Sequence, residues 1–146
     1  MEYLSKLSER LNDLVLEKEL NSSSLSANVG LSAGAIRSWV RGDRLPTLES
    51  AIKLADYFQC SLDYLLGKEE KFEEVLPRTL PHLYERIREI MKIEGFTRYH
   101  IVHHTSITDS CFTRWAKGEL PSLPTLCTLA DYLKVSLDYL VGRTDY

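Results

Sequence analysis

Three groups of side chains in this chain of 146 residues have types and spacings that could do chemistry. His100, His103 and His104 share one face of a helix, as imidazoles that hold a metal ion do. Cys60, Cys111 and Cys127 could ligate or cross-link, and Arg37, Arg41 and Arg44, with Arg114 and Lys117 further on, could hold an anion. The cysteines are odd in number, lack Cys-x-x-Cys spacing and sit inside apolar-periodic segments, which predicts reduced core or near-core thiols. No glycine-rich phosphate loop, nucleophile elbow or paired acid and base at motif spacing occurs, so catalytic residues, a cofactor and enzyme activity are not expected. The arginines are then the group with an evident task.

The elements that must position them come from a globular composition, 44% hydrophobic, enough for one ordinary domain or two small ones. No apolar run approaches the roughly 20 residues that cross a bilayer. Met1 to Lys6 also lack the basic-then-apolar layout of a secretory signal, so a cytoplasmic location and no membrane partner are expected. The formal net charge of -3 gives a polyanion no long-range attraction, and any anion must be met by a local basic face.

The chain repeats itself. Leu54-Ala55-Asp56-Tyr57 returns as Leu129-Ala130-Asp131-Tyr132, and Ser61-Leu62-Asp63-Tyr64-Leu65 with Gly67 returns as Ser136-Leu137-Asp138-Tyr139-Leu140 with Gly142, an offset of 75. Trp39 and Gly42 match Trp115 and Gly118 at an offset of 76, so the second copy lacks one residue between Gly118 and Leu120, in a turn that tolerates the loss. Arg10-Leu11 and Leu14 match Arg86-Ile87 and Ile90. Where the second copy has its histidines the first has Ser24, Ala27 and Asn28, solvent-facing types, so a solvated cluster is expected in place of a metal site.

Each copy reads as five helices. Leu4, Leu7, Leu11 and Leu14, or Leu83, Ile87 and Ile90, mark the first. Asn21 or Thr97 should cap a short second helix carrying Leu25 and Val29, or Ile101. Gly30 supplies a left-handed stop, a place that Ser106 fills in the second copy at a cost of roughly 1 kcal/mol. Ser32 and Thr108 should cap a third helix with Ile36 and Trp39, or Phe112 and Trp115, inward, and Gly42 and Gly118 should end it. Thr47 and Ser122 announce the fourth helix, Ser61 and Ser136 the last. Trp39, Trp115, Tyr57, Tyr64, Tyr132 and Tyr139 are expected in the cores. A charged stretch runs from Lys68 into Pro77 and Pro81, and Phe72, Val75 and Leu76 could dock it. The division is therefore 1–67, a linker at 68–80, and 81–146.

Five helices with a very short turn between the second and third is the layout of a helix-turn-helix module. The Leu45-Pro46-x-Leu48 start and the Ser61-Leu62-Asp63-Tyr64-Leu65-Leu66-Gly67 end, repeated with few changes, resemble the lambda-repressor-like Cro/C1 (XRE) helix-turn-helix family over residues 3–67 and 79–142. The resemblance implies an all-α fold of two tandem five-helix DNA-binding domains and a repressor-like transcriptional regulator whose partner is double-stranded DNA. It implies a third helix entering the major groove and a second helix whose N-terminus grips phosphate. Residue by residue, the groove-facing set is Ala33, Gly34, Arg37 and Ser38, then Asp109, Ser110, Thr113 and Arg114. The phosphate contacts are Ser22, Ser32, Arg41 and Arg44, then Arg98, Thr108 and Lys117.

Departures from the family qualify this. Ser22 and Arg98 stand where it has glutamine, and Val40 and Ala116 replace a glutamate that pairs with the first helix's arginine, so Arg10 is expected to bond Asp63 and Arg86 to bond Asp138. Ala33 and Gly34 cannot make a bidentate base contact, whereas Arg114 can address a guanine, so the second copy is expected to supply most of the discrimination. Asp109 repels phosphate unless it accepts a hydrogen bond from the cytosine N4 amino group. The competing reading is a helix-turn-helix scaffold that has lost DNA binding in one or both copies and acts as a protein-interaction module. Whether two chains form a homodimer is left open.

Overall fold

The computed structural model describes residues 2–145. The described residues form ten helices and no strand, with one isolated bridge between Cys60 and Glu74. The fold is all-α, as expected. Contacts divide the chain between Pro77 and Arg78 into two compact units.

Unit 1 contains α1 (Glu2–Glu17), α2 (Ser22–Val29), α3 (Ala33–Arg41), α4 (Leu48–Phe58) and α5 (Leu62–Leu65). Leu7, Leu11 and Leu14 share one stripe of α1 and are buried where α1 meets α3 and α5. Each later helix starts where a side-chain oxygen replaces a missing backbone acceptor: Asn21 takes the Ser24 N–H, Ser32 that of Ala35, Thr47 that of Ser50 and Ser61 that of Tyr64. Gly30, at φ 72°, ends α2 and lets α3 begin three residues later, at Ala33. Leu25, Ile36, Trp39, Leu54 and Leu65 fill the space between.

Unit 2 contains α6 (Leu83–Glu94), α7 (Arg98–His104), α8 (Asp109–Ala116), α9 (Leu123–Leu133) and α10 (Leu137–Val141). Its caps at Thr97, Ser122 and Ser136 work as their counterparts do. Phe112 and Trp115 of α8 are buried with Ile87, Ile90 and Ile101. Gly142 seals the end of α10 against the start of the unit, where an added Cβ would stand 2.5 Å from Pro81 Cδ. Gly67 does the same in unit 1, 2.5 Å from Lys6 Cβ.

Several local expectations are corrected. Ser106 does not take positive φ: α7 stops at His104, and the extended Thr105 turns the chain by giving its hydroxyl hydrogen to Ile101 O while accepting the Ile107 N–H. Thr108 sits at the cap of α8 without its side chain accepting a helix N–H, its hydroxyl being 2.9 Å from Ser110 Oγ instead. Arg10 does not bond Asp63. Its guanidinium donates to the carbonyls of Tyr64 (2.7 Å) and Glu69 (2.9 Å) and to the Glu70 carboxylate (3.3 Å), and lies over the Tyr64 ring. Arg86 likewise donates to the carbonyls of Tyr139 and Thr144 over the Tyr139 ring, while buried Asp138 pairs with Arg143. In both units, carbonyls freed at the end of the last helix outcompete the aspartate, because they converge where the planar guanidinium arrives.

Tyr57 is exposed at the surface, where Asn28 donates to its hydroxyl, and Tyr64, Tyr132 and Tyr139 are half-buried. The segment after Gly67 docks on unit 1: Val75 is buried, its N–H donates to Gln59 O, and Phe72 stands edge-on to Tyr64. Leu76 stays 59% exposed and does not take part.

Candidate nucleic-acid interface

In unit 1 the first turn of α3 carries no bulk. Ala33 is half-buried, Gly34 is exposed, and the Arg37 guanidinium folds back so that an added Cβ on Gly34 would lie 3.9 Å from it. Ser32 and Arg37 are exposed, Ser22 and Ser38 half-buried. Arg41 pairs with Asp43 at 3.3 Å, both largely in water, a contact that contributes little. Arg37 and Arg44 have neither ion pair nor hydrogen bond. Cations without an existing partner can take an anion without breaking a bond.

Unit 2 places its candidates in a closed network. Arg98, the first residue of α7, donates to the Asp109 carboxylate (2.8 Å), to Asp109 O (2.7 Å) and to Thr113 Oγ1 (3.1 Å), and its guanidinium lies 5.2 Å from the centre of the Phe112 ring. Thr113 gives its own hydroxyl hydrogen back to Asp109 O. Arg114 meets Glu119 at 3.4 Å and reaches Ser110 Oγ and Cys111 Sγ. Lys117 stands exposed without a partner. Asp109 is thus matched by an internal cation, so its repulsion of phosphate is largely cancelled.

Cys111, outside the expected set, belongs to this network. Burial pushes its thiol up, but hydrogen bonding with Thr108 and the positive charge of Arg114 outweigh it, and the thiol titrates below its usual range. The signal in the sequence was its place three residues after Thr108 and three before Arg114 on one helical face. Glu119 and Asp43, equivalent positions just after the glycine following the third helix, were also missed as counter-ions.

The three histidines are on α7 as expected but hold one another and nearby rings. His100 takes part in the Thr97 cap, His103 packs at 4.0 Å on Tyr99, and His104 stacks on Tyr132 with Nδ1 2.7 Å from His100 O. Among the described residues, no group of three histidine, cysteine, aspartate or glutamate side chains is placed to hold a metal ion. Among the same residues no helix is long and apolar enough to cross a membrane.

Residues 11–65, from α1 through α5 of unit 1, match the helix-turn-helix family model. No curated protein and no solved structure matches the chain. The chain therefore carries, at residues 11–65, a helix-turn-helix domain of the kind through which regulators bind DNA.

Proposed function

We propose that the chain is a repressor-like transcriptional regulator that binds double-stranded DNA through two tandem helix-turn-helix units, residues 1–67 and 81–146 joined by 68–80. The observation that carries this reading is the pair of uncommitted arginines, Arg37 on α3 and Arg44 just beyond its C-terminal end, within the family-matched segment. In this reading Ser22, Ser32, Arg41 and Arg44 hold phosphates while Ala33, Gly34, Arg37 and Ser38 face the groove. The second unit reads bases with Asp109, Ser110, Thr113 and Arg114, flanked by Arg98, Thr108 and Lys117. The exposed Arg114–Glu119 pair is weak enough to be exchanged for a guanine edge. Linking the units raises the local concentration of the second once the first is bound, so two half-sites need only one chain.

A second reading applies to unit 2 alone, favoured by the mutual commitment of Arg98, Asp109 and Thr113: it keeps the fold and serves as a protein-interaction module. Duplex binding measured across salt separates the two. A DNA-binding chain shows log affinity falling linearly with log salt, with a slope of about -0.9 per phosphate neutralised. Arg114→Ala then relaxes preference at one base pair by about 1–3 kcal/mol, and Arg44→Ala weakens all sequences alike. No duplex affinity at low salt ends the regulator reading; no effect of Arg114→Ala on preference leaves unit 2 with the interaction role.

A further inference from the structure

Between α6, the first turn of α7 and α8, unit 2 contains an open groove of about 520 Å3. Three cations, Arg88, Lys92 and Arg98, and three rings, Tyr84, Phe96 and Phe112, line it. No carboxylate among the described residues does so. Arg88 lies 5.7 Å from the centre of the Tyr84 ring, and both Arg88 and Lys92 are exposed without an ion pair or a hydrogen bond from their side chains. Phe112 is 1% exposed and forms the floor.

Unit 1 is a control within the same chain. Its counterparts of the three cations are Asn12, Leu16 and Ser22, and its counterparts of the three rings are Ser8, Leu20 and Ile36. The correspondence is structural as well as serial: Glu19 and Gly95 both take positive φ, at 55° and 78°, and Asn21 and Thr97 both form capping boxes. Unit 1 builds the same helices with none of these groups, so packing does not require them. All six differences converge on one concavity, where, among the described residues, the one ion pair made by the three positive charges is that of Arg98 with Asp109. An anion entering there relieves their mutual repulsion, and a flat apolar body covers the rings.

We propose that this groove binds a small aromatic anion, a planar ring bearing a carboxylate or a phosphate, with its charge on Arg88 and Lys92 and its ring against Phe96 and Phe112. An anion that reaches Arg98 competes with Asp109 and so alters the charge that α8 presents. The binding itself does not depend on the DNA reading.

The test is a backbone-amide NMR titration of the full chain, without DNA, using 1-naphthoate, adenosine monophosphate and the neutral 2-naphthalenemethanol. Expected are saturable shifts at Gly95, Phe96, Thr97 and Phe112 with one or both anions, dissociation constants below about 1 mM, and unmoved Glu19, Leu20 and Asn21. The stronger anion identifies carboxylate or phosphate as the recognised group. The surface double variant Arg88→Ala, Lys92→Ala should weaken binding about tenfold or more. No saturable shift with either anion, equal binding of the neutral ring, or an unaffected double variant overturns the proposal. So does a double variant that loses duplex affinity while neither anion binds, which would assign the groove to backbone phosphate.

Discussion

Helices α3 and α8 hold the same place in their units and differ in what their side chains are doing. Residues 33–44 carry three arginines against one aspartate, and two of those arginines are unpaired. Residues 109–119 carry Arg114 and Lys117 against Asp109 and Glu119, and every one of these but Lys117 is engaged. The first helix carries unpaired charge beside small side chains, and the second carries hydrogen-bonding groups with its charge largely paired. Beneath this divergence the scaffold is nearly unchanged, down to the carbonyls that seat Arg10 and Arg86. A repeated fold can thus hold its framework fixed while the side chains of the third helix in each copy diverge.

If the frameworks are equivalent, removing their arginines should cost alike. Arg10→Met and Arg86→Met each delete three charge-assisted hydrogen bonds and a ring contact, and each should lower unfolding free energy by about 2 kcal/mol in urea titration. A tolerated change in only one unit would break the equivalence.

The turns before the outward helices should respond differently. Gly30→Ala forces a side chain into φ 72° and should cost about 1 kcal/mol, whereas Ser106→Ala should be within about 0.5 kcal/mol of the parent, because unit 2 turns through Thr105. Equal losses by thermal melt would show that both copies turn alike.

The smallest effect is kinetic. Cys111 should be alkylated by iodoacetamide at pH 7 well before the buried Cys60 and Cys127, since a lowered thiol pKa leaves more thiolate at neutral pH. Its rate should fall off at a lower pH than that of an ordinary thiol. Arg114→Ala removes the nearby positive charge, raises that pKa and slows the reaction, as peptide mass mapping of the modified chain would register.

What could be read from residues alone was whatever depends on near neighbours. The leucine stripe of α1 and the caps at Asn21, Ser32, Thr47 and Ser61 need only spacing and one oxygen three residues away from an N–H, and they stand where spacing put them. The partner of Arg10 was illegible, because its acceptors are mainly carbonyls, which every residue has, and only the folded chain decides which converge. The Arg98–Asp109 bond, spanning 11 residues and two helices, was hidden for the same reason, and with it the cancellation of the charge that made Asp109 look unfavourable. The candidate positions on α3 and α8 were legible from helical register, but which arginines were free was not.

The close approach at Gly67 and Gly142 bears on how such a chain can change over time. With Lys6 or Pro81 already occupying the space a methyl group would need, these two positions cannot drift while the first helix of each copy keeps its seat. A library randomising both and selected only for folded protein should return the parent residue at each, marking the outer edges of the two copies.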